Sequence, residues 1–209
     1  PQRDERLGWT GDAQVFFRTA ACNFDVEKFF TKWLADLAAD QAASGSVPHV
    51  VPNIFDHDGG SAAWGDASVI IPWQMYLIYG NKSILERQFE SMKKWIDFIQ
   101  SRSHKYIWSK GDHFGDWLNL EKEAGGKPAD KQMIATAYAA YSTGLLVKAG
   151  KAIGRDMARY EQLQQNIIKA FRAKYIKKNG KVRGDTQTGG MLSTTGVGAS
   201  SGSWAALST

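Results

Sequence analysis

The segment PQRDERLGWTGDAQ, residues 1–14, brings acidic and aromatic side chains together within a few positions. Asp4, Glu5 and Asp12 supply three carboxyl groups, and Arg6 and Trp9 lie between them. Neighbouring carboxyl groups are what acid–base catalysis requires, one to donate a proton and another to accept one. An indole ring adds a broad apolar face with a polar edge. These residue types predict a solvated binding or catalytic surface rather than part of a core.

A tryptophan and an aspartate recur together twice more along the chain. WTGDA occupies residues 9–13, WGDA occupies residues 64–67, and a looser version, GDWL, occupies residues 115–118. Their tryptophans are 55 and 53 residues apart. Such spacing is typical of a fold built from similar helical units. We therefore expect each unit to present one tryptophan and one aspartate at the same end of the fold.

This set of side chains suits a carbohydrate. Sugar hydroxyl groups bind to carboxylates, and sugar C–H faces pack on aromatic planes. Cleavage of a glycosidic bond requires two carboxyl groups, one protonating the leaving oxygen and the other activating water or attacking the sugar. Single positions are ambiguous, because Asp12 and Asp66 also suit helix N-caps and Trp64 also suits a core. Asp112 and Asp116 equally suit turns, so the prediction rests on the recurrence.

Six segments have the hydrophobic periodicity of helices. The spacing predicts helices over residues 12–23, 25–43, 66–79, 83–102, 130–149 and 156–175. The second, fourth and sixth have a charged face, whereas the first, third and fifth carry almost no charge after their first residues. A helix that is apolar all round is buried on all sides. The alternation predicts an all-α fold with inner and outer layers, as in an α/α toroid or a curved helical array.

Little of the chain has the pattern of a strand. We predict an extended piece at residues 47–54 and a turn around Asn179–Gly180. The FDHDGG stretch, residues 55–60, has metal-ligand residue types, but neighbouring side chains point apart and a turn is favoured. The sequence therefore predicts no metal or cofactor.

Composition argues against several other classes. The net charge is +5, but basic residues are scattered and are densest at residues 172–181 near a helix end, so no nucleic-acid partner is predicted. No apolar run of about 18 residues is present, which predicts no membrane span. Cys22 is the single cysteine, which we expect to be a small buried residue.

Beyond these patterns, the chain closely resembles the catalytic domain of bacterial α-L-rhamnosidases of glycoside hydrolase family 78. The resemblance rests on the DERxGWTGD core of the first segment, on SGSVPHVVPN, AAWGDASVIIPWQMY and ERQFESMKKWIDFI, and on GDHFGDWL and GDTQT. It runs from Pro1 to about Thr188. These motifs follow the family's order along the chain.

The resemblance implies an (α/α)6 barrel, a six-hairpin toroid, of which three hairpins, about half, are present. It implies inverting hydrolysis of terminal α-L-rhamnose from rhamnose-containing glycosides, without a cofactor. Glu5 falls on the family's general acid, and Asp4 and Arg6 would line the sugar site. The remaining substrate-binding positions implied in this way are Trp9, Asp12, Trp64, Trp117 and Asp116.

Two departures from the family pattern matter most, and the first is a further binding aspartate that the family has just before the PQRDER stretch, ahead of the first residue here. The family's general base is a glutamate beyond the last residue of this chain, and Glu121 and Glu123 are candidates by chemistry alone. The chain starts inside a motif without an initiator methionine, so we expect the natural N-terminus to lie upstream. We divide the chain into a partial glycosidase domain, residues 1–188, and a Gly/Ser/Thr-rich tail, residues 189–209, whose composition disfavours a packed helix.

Two alternative functions remain open at this level. One is an inverting toroid glycosidase for another sugar, such as an unsaturated uronide, which would need an arginine for the substrate carboxylate. The other is a non-catalytic carbohydrate-binding helical scaffold. We expect the 209 residues alone to be inactive, because the base and half of the barrel wall are missing.

Overall fold

Helices dominate the part of the chain that can be described. The computed structural model describes residues 3–55, 59–117, 129–183 and 188. The six helices in these ranges are α1 (Thr10–Asn23), α2 (Glu27–Asp40), α3 (Ala67–Tyr79), α4 (Lys82–Ser101), α5 (Lys131–Ala152) and α6 (Ala158–Tyr175). Each coincides with one of the helices that the periodicity predicted.

The helix boundaries differ from the prediction by a few residues, and neither Asp12 nor Asp66 makes the capping hydrogen bond that the sequence suggested. Helix α1 begins at Thr10, so Asp12 lies inside its first turn instead of capping it. A carboxylate there still interacts favourably with the positive end of the helix dipole. Helix α5 begins as predicted, since the Asp130 side chain accepts hydrogen bonds from the backbone N–H groups of Gln132 and Met133.

The helices form the two layers that the alternation predicted. Helix α3 contacts both α1 and α5, which makes these three an inner row. Helices α2 and α4 contact each other on the outside, and α3–α4 and α5–α6 pack as hairpins. Helix α3 is buried along most of its length, including Ile71 and Met75. The all-α, inner-and-outer architecture of a partial toroid is therefore confirmed.

One inner helix is not buried on all sides. Val15 and Phe16 of α1 are 76% and 58% exposed, and Cys22 is also exposed, contrary to the expectation of a buried cysteine. Within the described ranges, α1 packs against the inner helix α3 on one side. The side of α1 that faces away from α3 is therefore exposed. Phe24, which follows α1, and Phe29 of α2 are 70% and 60% exposed. Val15, Phe16, Phe24 and Phe29 together are called the apolar face below.

The connections contain two features of extended backbone. Strands β1 (Ser103–His104) and β2 (Ile107–Trp108) form an antiparallel hairpin, which the sequence did not predict because each strand has only two residues. The predicted extended piece at residues 47–54 is present in part, pairing Val50 with Trp9. The predicted turn near Asn179 is also present, where Gly180 has φ 81°.

The core lies between the two layers. Its largest fully buried side chains include Trp95 on α4, Trp108 on β2 and Phe171 on α6.

No helix in the described ranges is both long and apolar enough to cross a bilayer. Residues 56–58, Glu121, Glu123 and the tail from residue 189 lie outside the described residues, so the division into a domain and a tail stays a prediction.

Candidate active site

The segment before α1 is fixed by pairing with the extended piece. The Val51 N–H donates to the Gly8 carbonyl over 2.9 Å, and the Thr10 N–H donates to the His49 carbonyl over 2.9 Å. A Cβ atom at Gly8 would lie 2.2 Å from the Val51 carbonyl oxygen, so only glycine permits this approach. Trp9, between these bonds, is therefore held at the start of an inner helix.

Trp9 also holds the leading carboxyl candidate. Its indole Nε1–H donates a 2.6 Å hydrogen bond to Oε2 of Glu5. Glu5 lies in an exposed turn, residues 3–5, and Arg6 follows it with φ 60°. A carboxyl group that must exchange protons with a substrate needs both access and a fixed position, and Glu5 has both.

An aromatic cluster surrounds the start of α1. Phe114 lies at its centre, with ring centroids 6.4 Å from Trp9, 4.5 Å from Trp64 and 5.6 Å from Trp117. Trp9 also contacts Phe55, whose ring centroid is 6.2 Å away. The three tryptophans of the sequence repeat therefore converge in one place, although more than 50 residues separate each from the next.

Residues 61–66, called the corner below, lead into α3. They place Trp64 in the aromatic cluster, whereas the side chain of Asp66 points into the core. Asp66 is fully buried and occupies the N-cap position of α3, but its side chain makes no capping hydrogen bond. Its carboxylate accepts hydrogen bonds from the Ala63 N–H, the Trp95 indole and the Ser142 hydroxyl, at 2.8, 3.0 and 2.6 Å. Burial raises the pKa of Asp66, whereas these bonds oppose the rise. Asp66 therefore joins α3, α4 and α5 beneath the site, and the expectation of an exposed aspartate in each unit is wrong here.

The loop formed by residues 109–117 packs against this corner. His113 is 6% exposed, and its Nδ1 accepts a 3.1 Å hydrogen bond from the Ala62 N–H. Burial lowers the pKa of His113 to about 4, the charge of Lys131 adds to the fall, and Asp112 opposes it. His113 is therefore neutral near pH 7. The Phe114 N–H donates to Ser61 Oγ over 3.2 Å, which ties the loop to the same corner.

The end of this loop carries the last two predicted site residues, Asp116 and Trp117. Gly115 has φ 72°, a left-handed conformation that reverses the chain direction after Phe114. Asp116 accepts a 2.5 Å hydrogen bond from the Thr188 hydroxyl. Trp117 is 63% exposed.

These elements border an open cavity of about 1140 Å³, whose wall also includes all four residues of the apolar face. The predicted residues that line it are Trp9, Asp12, Trp64, Asp116 and Trp117. Glu5 reaches this group through its bond to Trp9. Asp4 and Arg6 lie exposed in the turn around Glu5, outside the wall of the cavity as described.

Two further polar residues line the cavity that the sequence analysis did not single out. They are Gln14 of α1 and Tyr138 of α5, and Oε1 of Gln14 is buried without a hydrogen-bond partner among the described residues. Burial raises the pKa of Tyr138 to about 12, and the nearby charges of Asp66 and Tyr141 add to the rise. Tyr138 therefore remains a neutral hydroxyl group across the physiological pH range. Both residues lie on helices that periodicity marked as buried, which hid them as site candidates.

The arrangement suits a sugar better than a metal ion. Within the ranges described above, His, Cys, Asp and Glu side chains form no group of three that could hold a metal. The cavity instead combines flat aromatic faces with carboxylates, an amide and a phenol. Aromatic faces pack against the C–H faces of a ring and the polar groups bind its hydroxyls.

Comparison with known proteins identifies α-L-rhamnosidases as relatives of this chain. Residues 1–195 match the family model described as the bacterial α-L-rhamnosidase six-hairpin glycosidase domain. An α-L-rhamnosidase of Streptomyces avermitilis is 40% identical over 192 residues, which cover 92% of this chain and 18% of that protein. An α-L-rhamnosidase of Formosa agariphila is 41% identical over 192 residues, covering 90% of this chain and 20% of that protein.

The fold agrees with a solved structure as well. The crystal structure of the Streptomyces avermitilis α-L-rhamnosidase complexed with L-rhamnose superposes with a TM-score of 0.85 at 38% identity. The match covers 93% of this chain and 18% of that one. The chain thus spans about a fifth of the length of the relatives it matches.

Proposed function

The chain belongs to the bacterial α-L-rhamnosidase six-hairpin glycosidase family, and from this premise we propose that it carries the acid side of an active site releasing terminal α-L-rhamnose. The substrate would be a rhamnose-containing glycoside or oligosaccharide. Because the chain spans about a fifth of its relatives, we propose that the activity belongs to a longer polypeptide that includes it.

The observation that carries the proposal is the position of Glu5 beside Trp9. The carboxyl group is exposed, 2.6 Å from an indole that lines a cavity with Trp64, Trp117 and Asp12. Glu5 does not line the cavity itself, but its bond to Trp9 holds a carboxyl group next to a wall that suits a sugar ring. The L-rhamnose bound to the Streptomyces avermitilis relative supports the choice of sugar.

We assign the roles as follows. Glu5 donates its proton to the glycosidic oxygen as the bond from that oxygen to the anomeric carbon breaks. The faces of Trp9, Trp64 and Trp117 pack against the sugar. Asp12 and Asp116 accept hydrogen bonds from its hydroxyl groups.

Asp4 and Arg6 would contact the sugar or its leaving group from the turn that carries Glu5. Their exposed side chains lie outside the cavity wall, so this assignment rests on the family motif and their position beside Glu5.

The second half of the reaction needs a base. In an inverting mechanism a second carboxylate, about 6.5–9.5 Å from the first, deprotonates a water molecule that attacks the opposite face of the anomeric carbon. We propose that this carboxylate comes from a part of the longer polypeptide outside this chain. Glu121 and Glu123 lie outside the described residues and have no support as the base beyond their chemistry. Proton transfer between carboxyl groups, water and the sugar balances without a metal or an organic cofactor.

The test is rhamnoside hydrolysis by the complete reading frame that encodes this chain. Glu5→Gln keeps the size of the side chain and its contact with Trp9 but removes the proton donor. We expect kcat on methyl α-L-rhamnoside to fall by about 10²–10⁴-fold, the range that general acid catalysis contributes. The loss should be smaller on a nitrophenyl α-L-rhamnoside, because nitrophenolate leaves with little need of a proton.

The control is Glu86→Gln, an exposed glutamate on α4, which should leave both rates unchanged. Equal losses on the two substrates would argue against an acid role for Glu5. Hydrolysis of unsaturated uronides but not rhamnosides by the parent would move the substrate to the first alternative. Rhamnose binding without hydrolysis of any glycoside would favour the carbohydrate-binding scaffold.

A further inference from the structure

Phe114 occupies the centre of the aromatic cluster, yet it is absent from the cavity wall as described. Its ring contacts three tryptophans that line the cavity and that are 50 or more positions apart in the sequence. We propose that Phe114 is a positioning residue of the active site, which orients Trp9 and Trp64 for the sugar and, through Trp9, orients Glu5. The inference rests on the proposed function and adds a residue to it.

The geometry of the contacts supports orientation rather than mere space filling. Phe114 meets Trp9 at an interplanar angle of 84° and Trp117 at 81°, both edge-to-face. Its ring is tilted by 51° against Trp64 at 4.5 Å. Edge-to-face contacts depend on direction, because the positive edge of one ring meets the negative face of another. One phenyl ring therefore sets the rotation of three indoles at once.

Phe114 can do this because the chain is anchored at its own N–H and at the residue before it. Its N–H donates to Ser61 Oγ, and the preceding His113 is buried with Nδ1 bonded to the Ala62 N–H. The His113 ring also packs edge-to-face on Trp108, with centroids 4.6 Å apart. The loop is thus attached to the corner that contains Trp64, so the phenyl ring and Trp64 share one rigid support.

The link to the reaction runs through Trp9. The indole that contacts Phe114 is the same indole that donates to Glu5. If the phenyl ring is removed, Trp9 loses a neighbour on one side and keeps Phe55 on another. The indole then samples other rotations, the sugar platform loses its fixed plane, and the Glu5 carboxyl loses its fixed donor. Small displacements of this kind are costly, since misplacement of about 1 Å is enough to slow a reaction about 10²-fold.

The experiment compares Phe114→Ala with Phe114→Tyr in the complete reading frame, with Phe171→Leu as the control. Phe171 is a buried phenylalanine with an aromatic neighbour, Tyr175, on α6 and away from the cluster. The measurements are kcat and KM on an aryl α-L-rhamnoside and the Kd for L-rhamnose by calorimetry. Phe114→Ala should raise KM and Kd about tenfold or more and also lower kcat. Phe114→Tyr, which keeps the ring, should stay within about threefold of the parent on all three.

The control separates positioning from stability. Phe171→Leu should lower the thermal midpoint at least as much as Phe114→Ala while leaving KM and Kd within about twofold. If Phe114→Ala leaves KM and Kd unchanged, or if Phe171→Leu raises them equally, the inference is overturned. If Phe114→Ala does not fold, Phe114→Leu takes its place, because it keeps the apolar volume and removes the ring.

A crystal structure of the Phe114→Ala variant provides a second test, which does not depend on enzymatic activity. We expect the indoles of Trp9 and Trp64 to rotate and the Trp9–Glu5 bond to lengthen or break. Unmoved indoles and an intact bond would overturn the inference whatever the kinetics show. If the parent neither binds L-rhamnose nor hydrolyses rhamnosides, the proposed function fails, and this structural arm still decides whether Phe114 positions the tryptophans.

Discussion

The indole nitrogen of Trp9 and the carboxyl group of Glu5, four residues earlier, are joined by a hydrogen bond of 2.6 Å. This is shorter than most N–H···O bonds in proteins. The same indole lines the cavity and packs against Phe114. One side chain therefore couples the position of the proposed acid to the shape of the sugar site.

Trp9→Phe should reveal this coupling. Phenylalanine keeps an aromatic face toward the cavity but cannot donate a hydrogen bond, so Glu5 loses its orienting partner. We expect kcat to fall about tenfold to a hundredfold with a smaller change in KM. The measurement is steady-state hydrolysis of an aryl α-L-rhamnoside by the complete reading frame. Trp117→Phe is the comparison, because Trp117 lies exposed beside Phe114 and should affect KM more than kcat; the same pattern in both variants would contradict the coupling.

Asp66 should matter for stability. Asp66→Ala leaves three buried donors, on Ala63, Trp95 and Ser142, without their acceptor. Each orphaned donor is unfavourable, so the free energy of unfolding should fall by about 2–4 kcal/mol. Ser142→Ala removes one donor together with its bond and should cost only about 1 kcal/mol. Urea unfolding of the three proteins tests this, and equal losses in the two variants would contradict the central role of the carboxylate.

His113 should make stability fall in mild acid. Its pKa is lowered in the folded protein from 6.5 to about 4, so the unfolded chain binds a proton more readily in that window. The resulting stability is complete above pH 6.5 and is lost as the pH falls toward 4. Between pH 7 and pH 5 we expect His113 to account for a loss of about 1–2 kcal/mol in the free energy of unfolding.

The matched variant is His113→Asn, whose side-chain oxygen can still accept the Ala62 N–H without titrating. It should show a smaller loss between the two pH values than the parent protein. His104→Asn, an exposed position on β1, should leave the pH dependence of the parent unchanged. A pH dependence that survives in His113→Asn would assign the effect to other groups.

Gly11→Ala sets two effects against each other. Alanine favours a helix over glycine by about 1 kcal/mol, so α1 by itself would gain stability. A Cβ atom at this position, however, would lie 2.9 Å from the Trp64 ring, closer than carbon atoms approach. The ring must move, and Trp64 is a wall of the cavity. We expect a weaker affinity for L-rhamnose, by about tenfold, with little or no gain in thermal stability; unchanged affinity would show that Trp64 moves freely or does not contact the sugar.

The apolar face should make the 209-residue chain associate when it is produced alone. Phe16 and Phe29 are each more than half exposed, and contiguous apolar patches of this kind are sites of association. Sedimentation velocity should show concentration-dependent oligomers or aggregates. Phe16→Gln combined with Phe29→Gln should reduce them, whereas Tyr106→Gln, an exposed aromatic in the β-hairpin turn, should not. A monodisperse parent chain would contradict the expectation.

The layers of the fold were readable from the sequence because helical periodicity is local. Each predicted helix coincides with an observed one, since the pattern of apolar residues over one segment already determines which face is buried. Asp66 was misread for the opposite reason. Its partners on α4 and α5 lie 29 and 76 positions away, and nothing in the residues around it distinguishes a helix cap from a buried acceptor.

The aromatic cluster shows the same limit. The three tryptophans could be predicted as site residues because each recurs with an aspartate. Phe114 has no such pattern, and in the sequence it is one apolar residue in a loop. Gln14 and Tyr138 were missed because a helix that is buried overall hides the few side chains that line a cavity. A signal for them was present in the polar residues of otherwise apolar helices.

The pairing of residues 8–10 with residues 49–51, and of Trp9 with Phe114, also dictates an order of events during synthesis. Glu5 and Trp9 leave the ribosome before the partners that fix Trp9, which follow about 40 and about 100 residues later. Contacts between residues so far apart close large loops and form after local helices. The proposed proton donor is therefore translated before the residues that position it, and until residue 114 has emerged the growing chain carries this carboxyl group without the geometry to use it.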